Sequence, residues 1–126
     1  MELKDLVGKH LLSGVDYTNG SDGEMNVLFC LDGVTYEAQE DPDDGYRSYM
    51  KELQVTEKRC TNTFLAQPVL CEWDCNQSGW TDDDLLIIKD AENGLTVLKI
   101  GTCNTSDYYP WCEMEYTPEN LSCNRS

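Results

Sequence analysis

Asn26-Val27-Leu28-Phe29-Cys30-Leu31 and Val34-Thr35-Tyr36-Glu37-Ala38 are two β-rich runs separated only by Asp32-Gly33. A two-residue connection between antiparallel strands favours a type I′ turn, whose central residues both need φ > 0, and Asp-Gly supplies them. The turn fixes the register. Leu31 faces Val34, Phe29 faces Tyr36 and Val27 faces Ala38, so six apolar side chains share one face while Cys30 and Glu37 take the other. A chain containing this hairpin folds around an antiparallel sheet.

The rest of the sequence extends that sheet. A strand over His10–Thr18 ends at the turn cluster Asn19-Gly20-Ser21-Asp22-Gly23. Leu85–Lys89 and Leu95–Ile100 form a second hairpin through Asp90-Ala91-Glu92-Asn93-Gly94, and a last strand over Cys112–Tyr116 is closed by Pro118. Glu2–Val7 is a short opening helix. Tyr46–Val55 fits a helical stripe (Tyr46, Tyr49, Met50, Leu53) or a strand (Tyr49, Lys51, Leu53, Val55), and its β neighbours favour the strand. Asn62–Asp84, with two Trp, two Cys and few aliphatics, reads as an irregular excursion capped by Asp82-Asp83-Asp84. The expected fold is mainly β: an antiparallel sheet, sandwich or roll with at most one or two short helices, in a single acidic domain over 1–126.

Charge is the dominant chemical feature. The formal net charge is −15 on 126 residues, from 24 acidic and 9 basic side chains. Leu11–Tyr46 carries Asp16, Asp22, Glu24, Asp32, Glu37, Glu40, Asp41, Asp43 and Asp44, and Cys60–Ile88 carries Glu72, Asp74, Asp82, Asp83 and Asp84, in both cases without a Lys or Arg. Such a field repels nucleic acid and anionic membrane and draws in basic partners or metal cations. At 10% aromatic residues the chain is too rich in Tyr and Trp for a disordered acidic tail. No segment reaches the roughly 18 to 20 apolar residues that span a bilayer. The opening Met1-Glu2-Leu3-Lys4-Asp5-Leu6 lacks the basic and apolar regions of a signal peptide, so a reducing cytosol is the expected compartment.

The motifs argue against catalysis. Glu40-Asp41-Pro42-Asp43-Asp44-Gly45 resembles a calcium loop, but with Gly45 at its sixth position the third is Pro42 and the twelfth is Lys51, where a bidentate Glu is required. Cys71 and Cys75 could form half of a zinc site, yet Cys103 and Cys112, or Cys60 and His10, make a poor second half. Seven cysteines cannot all pair within the chain, and the expected reading is buried thiols serving as small hydrophobes, ahead of disulfides, which a reducing compartment disfavours. His10 is the sole histidine and no nucleophile motif accompanies it. Paired carboxylates carry no information among so many acids, and no phosphate-binding glycine loop occurs. No enzymatic activity, cofactor or metal is expected. Trp73, Trp80, Tyr108, Tyr109 and Trp111 lie in acid-flanked segments, where they either plug the ends of the β core or form a contact surface for an Arg-rich patch.

Three stretches form a recognisable set. They are Leu6-Val7-Gly8-Lys9-His10-Leu11-Leu12-Ser13-Gly14-Val15-Asp16; Asp32-Gly33-Val34-Thr35-Tyr36 with Glu40-Asp41-Pro42-Asp43-Asp44-Gly45-Tyr46-Arg47-Ser48; and Ile100-Gly101-Thr102 through Asp107-Tyr108-Tyr109-Pro110. Together they resemble small acidic proteins encoded by phages and prophages. The resemblance carries over no functional residue. It implies the class of DNA mimics and anti-CRISPR or other anti-defence inhibitors, acting in the host cytoplasm on a basic nuclease or other nucleic-acid-binding effector, without binding nucleic acid or membrane themselves. On that reading the contact residues are Asp22, Glu24, Glu40, Asp41, Asp43, Asp44, Asp82, Asp83 and Asp84, with Tyr108 and Tyr109 as anchors. Two alternatives are a small-ligand sponge for a nucleotide signal, with Arg47, Lys51, Lys58 and Arg59 holding phosphates, and a virion structural or assembly protein.

Overall fold

The computed structural model describes residues 1–19, 25–42, 48–50, 53–78, 81–103 and 111–122, of which 18, 19, 42, 48, 49, 75–78, 81–83 and 111 are described by backbone alone. These residues form one antiparallel sheet of nine strands. The strands are β1 (Gly8–Asn19), β2 (Met25–Leu31), β3 (Val34–Pro42), β4 (Ser48–Met50), β5 (Gln54–Val55), β6 (Thr63–Ser78), β7 (Thr81–Asp90), β8 (Thr96–Cys103) and β9 (Trp111–Tyr116).

The β2–β3 hairpin has the register read from its turn: Leu31 pairs with Val34, Phe29 with Tyr36 and Val27 with Ala38. Asp32 and Gly33 take φ of 54° and 80°. Val27, Phe29, Leu31 and Ala38 are buried, Tyr36 stacks on Phe29 with ring centroids 5.7 Å apart, and Val34 stays exposed beside the turn. The opposite face is more covered than a two-sided hairpin requires. Glu37 is buried there because Lys58 Nζ, at 3.0 Å, and Asn26 Nδ2, at 3.2 Å, lie on its carboxylate.

The spatial order is β4-β3-β2-β1-β6-β7-β8-β9, with β5 pairing β3 off that path. Two meanders therefore meet back to back along β1 and β6. The sheet rolls until β4 packs against β8 and β9, where the Met50 amide donates to Thr102 Oγ1 at 3.1 Å. Inside the roll lie Leu12, Val15, Val27, Phe29, Leu31, Val69, Cys71, Leu86, Ile88, Leu98 and Ile100. The opening turn is a 3₁₀ segment, Leu3–Leu6, that tucks Leu3 and Leu6 into this core.

The irregular excursion expected over 62–84 is instead the longest hairpin of the fold, β6 with the start of β7. Its inward positions are Gln67, Val69 and Cys71, with Trp73 half-buried, against exposed Pro68, Glu72 and Asp74. The alternation is regular, but the buried members include an amide, a thiol and an indole, so counting aliphatics misses it. Pro68 is tolerated because Leu11 opposite turns its backbone toward the β2–β3 turn, its amide donating to Asp32 Oδ1 at 2.8 Å and its carbonyl accepting from the Asp32 amide at 2.9 Å. The missing proline N–H thus leaves no gap in the β1–β6 ladder. Asp82-Asp83-Asp84 lies in the first residues of β7 rather than capping a loop, and the described parts of 46–55 are the short strands β4 and β5 with buried Leu53 just before β5.

Asp90 fastens the far end of the β7–β8 hairpin to the chain's last turn. It is 2% exposed. Its Oδ1 accepts from the Glu92 and Asn93 amides at 2.9 and 3.0 Å, and its Oδ2 from the Ser122 amide and hydroxyl at 3.0 and 3.1 Å. Burial pushes this carboxyl up, but those donors outweigh it and hold the group below its ordinary value. Leu121, fully buried beside them, closes the core. Asp90→Ala strands several buried donors and is expected to destabilise the fold by about 3 kcal/mol. Chemical denaturation measures this, and a change below about 1 kcal/mol on the same scale contradicts the assignment.

Candidate functional site

The carboxylates divide into those that hold the fold and those that face outward. Asp16 belongs to the first group: its Oδ2 accepts from the Thr61 amide at 2.7 Å and hydroxyl at 3.2 Å, and its Oδ1 from the Asn62 amide at 2.8 Å. Glu37 and Asp90 are buried clamps. Asp32 accepts from the Leu11 amide and from His10 Nδ1, the latter at 2.6 Å. The other ring nitrogen, His10 Nε2, is 2.8 Å from the Leu6 carbonyl. Both ring nitrogens of His10 therefore have an oxygen partner within hydrogen-bonding distance. Beside this pair is a shallow recess of about 250 Å³ lined by Lys9, His10, Leu11, Asp32, Pro68, Val69 and Ala91.

The proposed contact residues are placed as follows. Glu40 is half-buried, its Oε1 accepting from the Met25 amide at 3.0 Å, while Asp41 is exposed. Asp82 and Asp83 stand opposite Gln77 and Asn76 in the β6–β7 ladder, and Asp84, exposed, stands opposite Cys75 and Thr102. Asp22, Glu24, Asp43, Asp44, Tyr108 and Tyr109 lie outside the described residues. Along the strands, Glu40 is level with Met25 at the end of β1, whereas Asp84 lies beyond Gly8 at its start. The stagger of the roll then brings both to one seam: Glu40 pairs with Met50, Met50 bonds to Thr102, and Thr102 pairs with Asp84.

A second set of outward carboxylates lies on two other strands, Glu72 and Asp74 within the segment expected to be irregular and Glu113 and Glu115 on the expected last strand. Glu72 and Asp74 project from β6, and Glu113 and Glu115 from β9. Each pair is separated by about 6.6–6.8 Å along its strand, and the two strands lie about 14 Å apart across β7 and β8. Lys89 and Lys99 stand between them, their Nζ atoms 2.8 Å from Glu72 and 3.3 Å from Glu113. Two-residue alternation of acids beside a buried Cys71 was the sequence clue.

The remaining candidates are more dispersed. Lys58 of the basic island is taken by Glu37 and Arg59 is exposed, while Arg47 and Lys51 lie outside the described residues. Cys30 and Cys60 are half-buried and Cys71 is buried. Burial, with Asp16 nearby, pushes the Cys60 thiol up to about 11, and burial pushes Cys71 up to about 12, so neither is an activated nucleophile. Among the described residues no three His, Cys, Asp or Glu side chains converge as a metal site. Trp73 packs half-buried against the core; Trp80 lies outside the described residues and Trp111 is described by backbone alone. No helix among the described residues is long and apolar enough to cross a membrane. No protein-family model, curated protein or solved structure matches the chain.

The His10 ring and the Leu11 amide hold the Asp32 carboxyl below its ordinary value. Its stabilisation is therefore fully present above the unfolded carboxylate value of about 4 and disappears as pH falls through the lower folded one. Asp32→Asn is expected to flatten the acid limb of the stability–pH curve below about pH 4, measured by urea denaturation at stepped pH; an unchanged limb contradicts the assignment.

Proposed function

We propose that the protein is a non-enzymatic inhibitor that docks its negative surface on a basic, nucleic-acid-binding surface of a host defence complex, as a phage-type DNA mimic of the anti-CRISPR kind. The observation that carries this reading is the set of exposed carboxylates mounted on paired strands: Asp41, Glu72, Asp74, Asp84 and Glu115, with Glu113 half-exposed. Their backbones are already fixed by the ladder, so a partner orders only short side-chain torsions on binding. A Lys- and Arg-lined groove that meets them releases the counterions that a phosphate backbone would release. The net charge of −15 speeds encounter with such a groove. In this proposal Tyr108 and Tyr109 serve as the aromatic anchors, and Asp22, Glu24, Glu40, Asp43, Asp44, Asp82 and Asp83 are further contact residues.

Competition binding tests it. Lys- and Arg-rich effectors, CRISPR nuclease complexes first among them, are mixed with labelled DNA and increasing protein at several salt concentrations. Displacement of DNA that weakens steeply with salt is expected. Charge reversal in two sets, Asp41→Lys with Asp43→Lys and Asp44→Lys, and Glu72→Lys with Asp74→Lys and Asp84→Lys, locates the contact, at least one set reducing competition by roughly tenfold or more. Competition unaltered by both sets, or none with any effector, contradicts the proposal.

A further inference from the structure

Three of the chain's four methionines come from three separate strands to one part of the interior. Met25 on β2 and Met50 on β4 are half-buried against the core, and Met114 on β9 is buried within it. Cys112, two residues before Met114 and so on the same side of β9, is buried beside them at 4% exposure. The geometry ties the set together. Met25 is linked to Glu40 through its amide, Glu40 pairs with Met50, the Met50 amide bonds to Thr102, and Thr102 pairs with Cys112. Across the roll, the Tyr17 hydroxyl lies 2.8 Å from Met25 Sδ and 3.1 Å from the Met114 carbonyl, so it bridges the first and last members.

We propose that Met25, Met50, Met114 and Cys112 form a binding site for a soft monovalent metal ion, copper(I) or its analogue silver(I). Thioether sulfurs suit such soft ions, whereas calcium and magnesium take hard oxygen donors, and three thioethers to one thiolate is not the Cys/His set that zinc takes. Methionine side chains are long and unbranched, so sulfurs held on different strands can swing onto one ion without moving the backbone. Copper(I) binding is written Cys112–SH + Cu⁺ → Cys112–S–Cu + H⁺, with the proton leaving to solvent and no change in oxidation state. Where the Tyr17 hydroxyl donates to Met25 Sδ it holds one of that sulfur's two lone pairs and restrains the thioether from swinging onto an ion. The site is independent of the proposed inhibitory role.

The test is silver(I) titration of the full chain carrying ¹³C-methyl methionine, followed by NMR. The methyl resonances of Met25, Met50 and Met114 are expected to shift together while Met1 stays put as the internal control. Cys112→Ser is expected to weaken binding roughly tenfold or more, while Tyr17→Phe, which frees Met25 Sδ, tightens it several-fold. If the other cysteines take the silver and the three methyl groups do not move, the methionines are gap-fillers of the core and the site does not exist. If the methyl groups shift but Cys112→Ser leaves the affinity unchanged, the proposed donor set is wrong.

Discussion

The junction between β1 and β6 is the constraint on which the rest of the fold depends. Each meander ends at this joint, and the chain reaches it by a crossover from β5 through residues 56–62 that passes directly over Gly14. A Cβ at Gly14 would lie 3.0 Å from Cys60 Cβ and 3.2 Å from the Asn62 carbonyl, so only glycine leaves room for the crossing chain. The crossover is then pinned from both sides. The Val15 amide donates to the Asn62 carbonyl, the Asn62 side chain donates back to the Val15 carbonyl, each at 3.2 Å, and Asp16 holds the two amides before the strand begins. With that segment fixed, Thr63 pairs with Gly14 and β6 is laid down in register beside β1. Its continuation past Gly8 provides the template for β7 and, through β7, for β8 and β9.

That arrangement decides what the acidity can do. A formal count treats every carboxylate alike, yet Asp16, Asp32, Glu37 and Asp90 are acceptors for loop amides, a histidine ring or a lysine, and their charge is used to close the structure. The outward charge is carried by a different set, on the walls of β6 and β9 and at the β4–β8 seam. A sheet suits this division, since alternate residues of one strand face core and solvent: Cys71 and Glu72, or Met114 and Glu115, are neighbours with opposite tasks.

Local chemistry was the legible part of the sequence. The Asp-Gly turn gave its hairpin register to the residue, and the second hairpin and last strand were recognisable from their aliphatic runs and turns. The β6–β7 hairpin was not, because Gln67, Cys71 and Trp73 occupy positions where Val or Leu would have announced a strand. The clamps were equally hidden: Asp16 meets Thr61 and Asn62, and Asp90 meets Ser122, across separations that no local pattern encodes. Glu40 and Asp84 were grouped by charge alone, and their meeting at one seam follows from the stagger of a rolled sheet. The methionines gave no sign of their gathering, since each is isolated in its own strand.

Native-state hydrogen exchange, read residue by residue, tests the joint most directly. If β1 and β6 are the seam of one rigid roll, their paired amides around Leu12 and Val69 exchange only through global unfolding, together with those of β2 and β7. Exchange of β6–β9 as a separate unit, at a free energy well below that of β1–β4, would contradict a single β scaffold and with it the rigid presentation of the outer carboxylates.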